Sequence, residues 1–245
     1  MVETKRLIQA SIEASKDFFR PPHSRPQAGA EATPAPAPVL IPIRTIGPAQ
    51  RSRIAQHLHT LEPSDRYLRF GYSATDEQIQ RYVDGIDFER DEVFGIFNRN
   101  LELIAMAHLA FAAEPQCNSC AEFGVSVSKS ARGRGYGSRL FERAAMHARN
   151  EGIELMFIHA LTENRAMLNI ARKAGAVLER DGSETEAHLR LPRATIDSRM
   201  TAMVEEQFAQ TDYHLKSQAK QFWGVLGAIQ EIRQGVRDSR NKSRA

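Results

Sequence analysis

Arg132-Gly133-Arg134-Gly135-Tyr136-Gly137 decides how this 245-residue chain is read. Before it stands a largely apolar stretch, residues 120–128, with the character of a strand. After it, Leu140, Phe141, Ala144, Ala145 and Ala148 recur at helical spacing. A strand, a glycine-rich turn and a helix in that order form an anion site. The N–H groups of the loop and first helical turn lack internal partners, and the helix dipole adds positive potential. Gly133, Gly135 and Gly137 remove side chains, so a phosphate can approach the backbone, and Arg132 and Arg134 supply charge. The arrangement suits a pyrophosphate.

Two common pyrophosphate sites are excluded. A P-loop needs Gly-Lys-Ser/Thr after four intervening residues, which is absent. A dinucleotide fingerprint needs a third glycine where Ser138 stands, counting from Gly133. An Arg-Gly-rich RNA-binding tract would be repetitive, whereas this one occurs once.

Working outward, a strand is expected over residues 39–45, with helical segments over 48–61 and 64–85, the latter capped by Ser64. Strands at 92–97 and 102–111 are joined by the turn residues Asn98-Arg99-Asn100. A loop over 112–119 leads into the strand at 120–128. Gly152 is placed to end the helix after the loop. Residues 153–159 are almost wholly apolar, as in a strand covered on both faces. Thr162 can cap a helix with Ala166, Met167, Ile170, Ala171 and Ala174 on one face, closed by Gly175. Further strands fit 176–180 and 185–191.

Residues 194–237 are helical in pattern, with one stripe at Met200, Met203, Val204 and Phe208. A second stripe comprises Phe222, Val225, Leu226, Ile229, Ile232 and Val236. These stripes are expected to pack on the domain or on a second copy of the chain, and Tyr213 and Trp223 read as anchors. At the other end, residues 1–20 fit a short helix and the Pro- and Ala-rich stretch 21–38 reads as an extended linker. The expected organisation is therefore a segment at 1–38, a domain at 39–192 and a helical extension with a basic tail at 193–245.

The loop, its strand and its following helix resemble the GNAT family of acetyl-CoA-dependent acyltransferases. That family's Gln/Arg-x-x-Gly-x-Gly/Ala pattern is met by Arg132, Gly135 and Gly137. Val125-Ser126-Val127 matches the strand whose backbone pairs with the pantetheine arm. Glu163-Asn164 and Lys173-Ala174-Gly175-Ala176 match the later helix. Ser64-Asp65-Arg66-Tyr67-Leu68-Arg69-Phe70 and Ala121-Glu122-Phe123-Gly124-Val125 look like the GNAT domains of bacterial protein lysine acetyltransferases. The resemblance implies an α/β (α+β) fold: a mixed sheet of six to seven strands flanked by helices. It implies acetyl-CoA as cosubstrate, held by Val125, Ser126, Val127, Arg132, Gly133, Arg134, Gly135, Tyr136, Gly137, Ser138 and Asn164. Asn164 also fits a helix cap.

An amine must be neutral to attack a thioester. Lysine, with a pKa of about 10.4, is almost wholly protonated at pH 7, a penalty of roughly 4–5 kcal/mol. A base is therefore the most valuable catalytic group, and Glu122 is the candidate. On a strand, Phe123, Val125 and Val127 face one way, while Glu122, Gly124 and Ser126 face the other. The alternative is a polar residue on an exposed strand. The family's usual acid, a tyrosine seven residues after the asparagine, is Ala171 here. A thiol of pKa about 8.5 leaves as thiolate at pH 7 for only about 2 kcal/mol, so an acid-free route is open. The resemblance also implies an oxyanion donor near Val125.

The remaining features set limits. The charge of +3 is too small for general attraction to nucleic acid. Basic residues gather beyond Tyr213. No apolar run approaches the ~20 residues of a membrane span, and the first residues lack the apolar core of a signal peptide, so a cytoplasmic protein is expected. Cys117-Asn118-Ser119-Cys120 lacks the second pair zinc would want and reads as ordinary loop cysteines. No metal is expected. His108 and His159 read as core or cleft residues. Three functions remain open: acetylation of an amine, with protein lysine favoured; acetylation of small amines; and CoA binding without catalysis. A homodimer through the C-terminal helices is compatible with all three.

Overall fold

The computed structural model describes residues 41–112, 117 and 119–242, with side-chain surroundings as far as residue 221. The expected helix at 1–20, the linker at 21–38, most of the 112–119 loop and the second C-terminal stripe, with Trp223, lie outside that description.

Seven strands form one mixed sheet in the order β1-β2-β3-β4-β5-β7-β6. They are β1 Arg44–Thr45, β2 Glu92–Phe97, β3 Leu103–Phe111, β4 Cys120–Val127, β5 Leu155–Leu161, β6 Val177–Asp181 and β7 Glu184–Arg190. All neighbours are antiparallel except β4 and β5, which run parallel. Among the described residues six α-helices accompany the sheet: α1 Arg51–His59, α2 Pro63–Phe70, α3 Asp76–Asp84, α4 Tyr136–Asn150, α5 Arg165–Lys173 and α6 Ile196–Lys242. This is the mixed α/β architecture the sequence implies.

Strand alternation sends apolar side chains to both faces of the sheet. On one face Phe94, Ala107, Phe123, Met156, Ile158 and Leu189 meet Leu140, Phe141 and Ala144 of α4 and Leu168 of α5. Phe123 meets Phe141 edge-on at 5.1 Å between centroids. On the other face α1 and α3 bring Ile54, Leu58, Ile79 and Val83 against Val93, Phe97, Leu103 and Met106. That second cover stops at β4.

The helical stretch expected over 64–85 is two helices. Gly71, at φ +79°, ends α2 in the left-handed conformation that glycine adopts without penalty. Ser64 lies within the first turn of α2 and is not its cap; Pro63 opens the helix after Glu62. Thr75 instead forms a reciprocal capping box with Gln78 at the start of α3. Thr162 is likewise not a cap. Its hydroxyl meets Thr185 Oγ1 at 3.0 Å, and Asn164 Oδ1 caps α5 by accepting from Met167 N–H at 3.1 Å. Gly152 and Gly175 follow the ends of α4 and α5 at φ +84° and +86°, as anticipated.

β5 is not covered on both faces. Met156, Ile158 and Ala160 are buried, but Leu155 and Phe157 are half-buried and His159 is exposed. Apolar composition conceals this because Phe157 packs edge-on against His188 of β7 rather than beneath a helix.

α6 is 47 residues long, about 70 Å at 1.5 Å per residue. It lies along the β1 edge, where Glu206 accepts from Arg143 Nη2 at 3.1 Å and from Thr45 Oγ1 at 3.3 Å. Tyr213 stacks edge-on against Phe97 and carries the Arg44 guanidinium over its ring. The stripe Met200, Met203, Val204 and Phe208 does not pack on the domain; it faces solvent. Among the described residues no helix is long and apolar enough to cross a membrane. Cys117 and Cys120, read from the sequence as ordinary loop cysteines, are paired with each other at the start of β4.

Candidate active site

β4 and β5 begin as neighbours and then separate. Their pairing runs Cys120–Leu155, Ala121–Met156 and Glu122–Phe157, then stops. β4 continues to Val127 and β5 to Leu161. Between them opens a cavity of about 1110 Å³, lined along β4 by Glu122 to Val127 and along β5 by Ile158 to Leu161.

The backbone of β4 is half used. At its two ends, Ala112 N–H donates to Cys120 C=O and Ser128 N–H to Ile104 C=O. Antiparallel alternation between those bonds commits Glu122, Gly124 and Ser126 to β3 and turns Phe123, Val125 and Val127 toward the gap. The Val127 carbonyl there accepts from Arg132 Nε at 3.3 Å. Val125 therefore presents a free N–H and C=O to the cavity, able to pair with an extended amide chain.

At the far end of β4 lies the glycine loop. Gly133 and Gly135 stand at φ +75° and +76°, which side-chain-bearing residues rarely adopt. Gly137 has a different reason: a Cβ there would lie 3.2 Å from Ile170 Cδ1, so its absence lets α4 approach α5. The first turn of α4 closes with Arg139 N–H on Gly135 C=O, leaving the N–H groups of Tyr136, Gly137 and Ser138 ahead of it. A free strand edge leading into a helix N-terminus suits a long molecule with amides at one end and phosphates at the other.

The cavity brings together Glu122, Val125, Ser126, Val127, Arg132, Gly133, Gly135, Tyr136, Gly137, Ser138 and Asn164. Arg134 is the exception; it is exposed and does not line the cavity. Arg132 is tied down, with Nη2 2.5 Å from Asp65 Oδ2. Asn164 bridges the gap, donating from Nδ2 to Leu68 C=O at 3.3 Å while capping α5. Ala171 is fully buried on the core-facing side of α5.

Behind β4, Ser126 Oγ lies 2.9 Å from His57 Nε2, while His57 Nδ1 lies 3.0 Å from Leu103 C=O. Burial pushes the His57 imidazole down to about 4, so it is neutral at pH 7. It pins Ser126 to the covered half of the sheet. Gly124 has its own neighbour: the Arg69 guanidinium, 2.6 Å from where a Cβ would stand.

Sequence reasoning passed over several lining residues: Arg69, Tyr72, and the β6–β7 carboxylates Glu179, Asp181, Glu184 and Glu186. The carboxylates oppose each other in register, Glu179 against Glu186 and Asp181 against Glu184. Like charges placed directly opposite destabilise a strand pair. That alternation of acids was visible in the sequence; its pairing and direction were not.

A mixed sheet split at a parallel pair, with a glycine loop at one end and a carboxylate at the other, defines an acyl-CoA-dependent acetyltransferase scaffold. Residues 55–176 match the acetyltransferase (GNAT) family, and through this region the chain belongs to that family. Members use acetyl-CoA as cosubstrate. The fold is similar to the GNAT domain of S. lividans PAT, with 22% identity, a TM-score of 0.53, and coverage of 62% of this chain and 95% of that one. It is also similar to a GNAT-family acetyltransferase from Streptococcus pneumoniae: 16% identity, TM-score 0.51, coverage 61% and 98%. yncA from Salmonella typhimurium, solved with its cofactor acetyl-CoA, gives 16% identity, TM-score 0.51 and coverage of 63% and 96%.

Proposed function

We propose that this protein transfers the acetyl group of acetyl-CoA to an amine, with a protein lysine as the favoured acceptor and Glu122 as general base. The observation carrying the proposal is the position of Glu122. Its carboxylate lies where β4 and β5 part, lining the cavity on the face that α1 and α3 do not cover beyond β4.

In this reading Val125, Ser126 and Val127 hold the pantetheine arm, and the loop from Arg132 to Gly137 with Ser138 holds the pyrophosphate. Asn164 contributes from α5. Arg134, outside the cavity, adds charge from the rim only. Glu122 takes the proton of the acceptor ammonium, directly or through a water. The neutral amine attacks the acetyl carbonyl carbon, the attacking nitrogen gives up its second proton to solvent, the carbon–sulfur bond breaks, and CoA leaves as its thiolate. The Val125 N–H supports the oxyanion. With Ala171 buried, no acid is assigned, and none is required of a thiol leaving group.

Protein lysine is favoured by the resemblance at Ser64–Phe70 and Ala121–Val125 and by the carboxylates of β6 and β7, which suit a cationic acceptor. The domain is taken as residues 39–192, between the segment 1–38 and the extension 193–245. The protein is read as cytoplasmic. The solvent-facing stripe Met200, Met203, Val204 and Phe208 supports a homodimer through α6.

Labelled acetyl-CoA with lysine peptides, protein lysines and small amines tests the activity. Transfer to lysine acceptors that is lost in Glu122→Gln is the expected result. Equal activity of both proteins removes the base, and acetyl-CoA binding without transfer to any acceptor leaves a CoA-binding module.

A further inference from the structure

The Arg69 side chain lines the acceptor end of the cavity yet has no part in the chemistry above. It lies over Gly124, two residues along β4 from Glu122 and on the same strand face. Among the described residues it makes no salt bridge. Among the described residues its one side-chain hydrogen bond is to Tyr82, whose hydroxyl accepts from Nη2 at 2.8 Å, and the guanidinium carbon lies 5.2 Å from the centroid of the Phe70 ring.

Behind that bond runs a chain of buried groups. Tyr82 Oη lies 2.7 Å from His108 Nδ1, and His108 Nε2 lies 3.2 Å from Asp91 Oδ2. Both His108 and Asp91 are buried. Burial, with the Arg69 charge, lowers the His108 pKa and favours neutral imidazole. A neutral imidazole has one N–H, which goes to the Asp91 carboxylate. His108 Nδ1 must then accept from Tyr82 O–H, and the Tyr82 oxygen accepts from Arg69. In that tautomer every bond has one donor and one acceptor, and each member is satisfied. One edge of the guanidinium is anchored, and its remaining N–H donors are unspent.

We propose that Arg69 binds a carboxylate carried by the acceptor, close to the amine that Glu122 deprotonates. An anchored planar guanidinium with free parallel donors fits a carboxylate with two bonds. The rest of the open face directs it there. Glu179, Asp181, Glu184 and Glu186 line the other side of the cavity, repelling an acid and attracting a cation. The acceptor therefore lies with its amine toward the acids and its carboxylate toward α2. A diamine without a carboxylate meets Arg69 as a like charge. The carboxylate belongs either to a free amino acid or to an acidic side chain beside a lysine. This inference rests on the acetyltransferase reading for the identity of the reacting amine.

The test uses the full chain and two pairs of probes: L-lysine against L-lysinamide, and an end-capped Glu-Lys-Gly peptide against its Gln-Lys-Gly counterpart. For each, kcat/KM is measured from CoA thiol release, and binding to the CoA-saturated protein by calorimetry. In one pair the carboxylate member is favoured about ten- to a hundredfold, as for a hydrogen bond to a charged group. The pair that responds identifies the source of the carboxylate. Arg69→Gln reduces that ratio to within about twofold, mainly through KM, and Arg69→Lys restores part of it, because ammonium lacks the fork. Tyr82→Phe, which frees the guanidinium, gives an intermediate ratio. The proposal is overturned if neither pair is discriminated, or if Arg69→Gln weakens both members equally. If no acceptor is acetylated, the proposed function fails, while the calorimetric ratio still decides what Arg69 binds.

Discussion

The same sheet face is built in two ways. From β2 to β4 it lies under α1 and α3, and its side chains are apolar or internally bonded: Val93, Phe97, Met106, and Ser126 on His57. From β5 to β6 it has no such cover and presents His159, Glu184, Glu186, Glu179 and Asp181. Strand alternation is identical in both halves, so the difference lies in what faces the alternating residues. The covered half is organised for rigidity, and the open half leaves charges unneutralised. Glu122 and Gly124 sit on the seam, where backbone placement comes from one half and access from the other. A catalytic group gains most at such a boundary, where its geometry is fixed while substrate can reach it.

The largest expected effect tests the seam itself. Glu122→Gln keeps the shape and removes the proposed base, so kcat for acetylation is expected to fall by about 10²–10⁴-fold, while thermal stability hardly changes. Steady-state thiol release and a melting curve on the same preparations separate the two. A large loss of stability instead would make Glu122 a structural member of the covered half. In that half, Leu58→Ala removes a fully buried side chain and should cost about 2–5 kcal/mol of stability by denaturant titration. A change near zero would mean that α1 does not hold the face as described.

His57 probes the same half through pH. Its imidazole, near 4 in the fold against 6.5 unfolded, takes up a proton more readily when the chain unfolds. Stability is therefore fully present above about pH 6.5 and declines as pH falls toward 4, by up to about 3 kcal/mol. His108 and His147 shift in the same direction, so His57→Gln should flatten part of the decline. An unaltered pH profile in that variant assigns the decline to the other two histidines.

The two halves differed in how far the sequence revealed them. The glycine loop, β4 and the α4 and α5 stripes were legible because their spacing has one geometric solution, and the cavity gathers all but one of the cofactor residues read from it. What escaped depends on partners distant in sequence. Arg69 becomes informative only when Tyr82, His108 and Asp91 align behind it. Arg134 looked equivalent to Arg132, but loop geometry turns one inward to Asp65 and the other out. β5 read as doubly covered because an apolar residue beside another side chain of the sheet, as Phe157 is beside His188, and one beneath a helix have the same composition. The break at Gly71 was missed because a single glycine inside a helical pattern can also be tolerated, and its φ is not written in the sequence.

The smallest effect belongs to the open half. Glu186 faces Glu179 directly across β7 and β6, and only His188 approaches both among the described residues, at 3.8 and 3.9 Å. Glu186→Gln removes one member of a repelling pair, so stability should stay within about 0.5 kcal/mol or rise slightly. The KM of a cationic acceptor should increase severalfold, and that increase should shrink as salt screens the face. In the covered half a lost buried contact costs stability first. Here stability is held while acceptor binding weakens. A Glu186→Gln protein that melts several degrees lower with an unchanged KM would show that the open half is structural too, and would remove the distinction between the two.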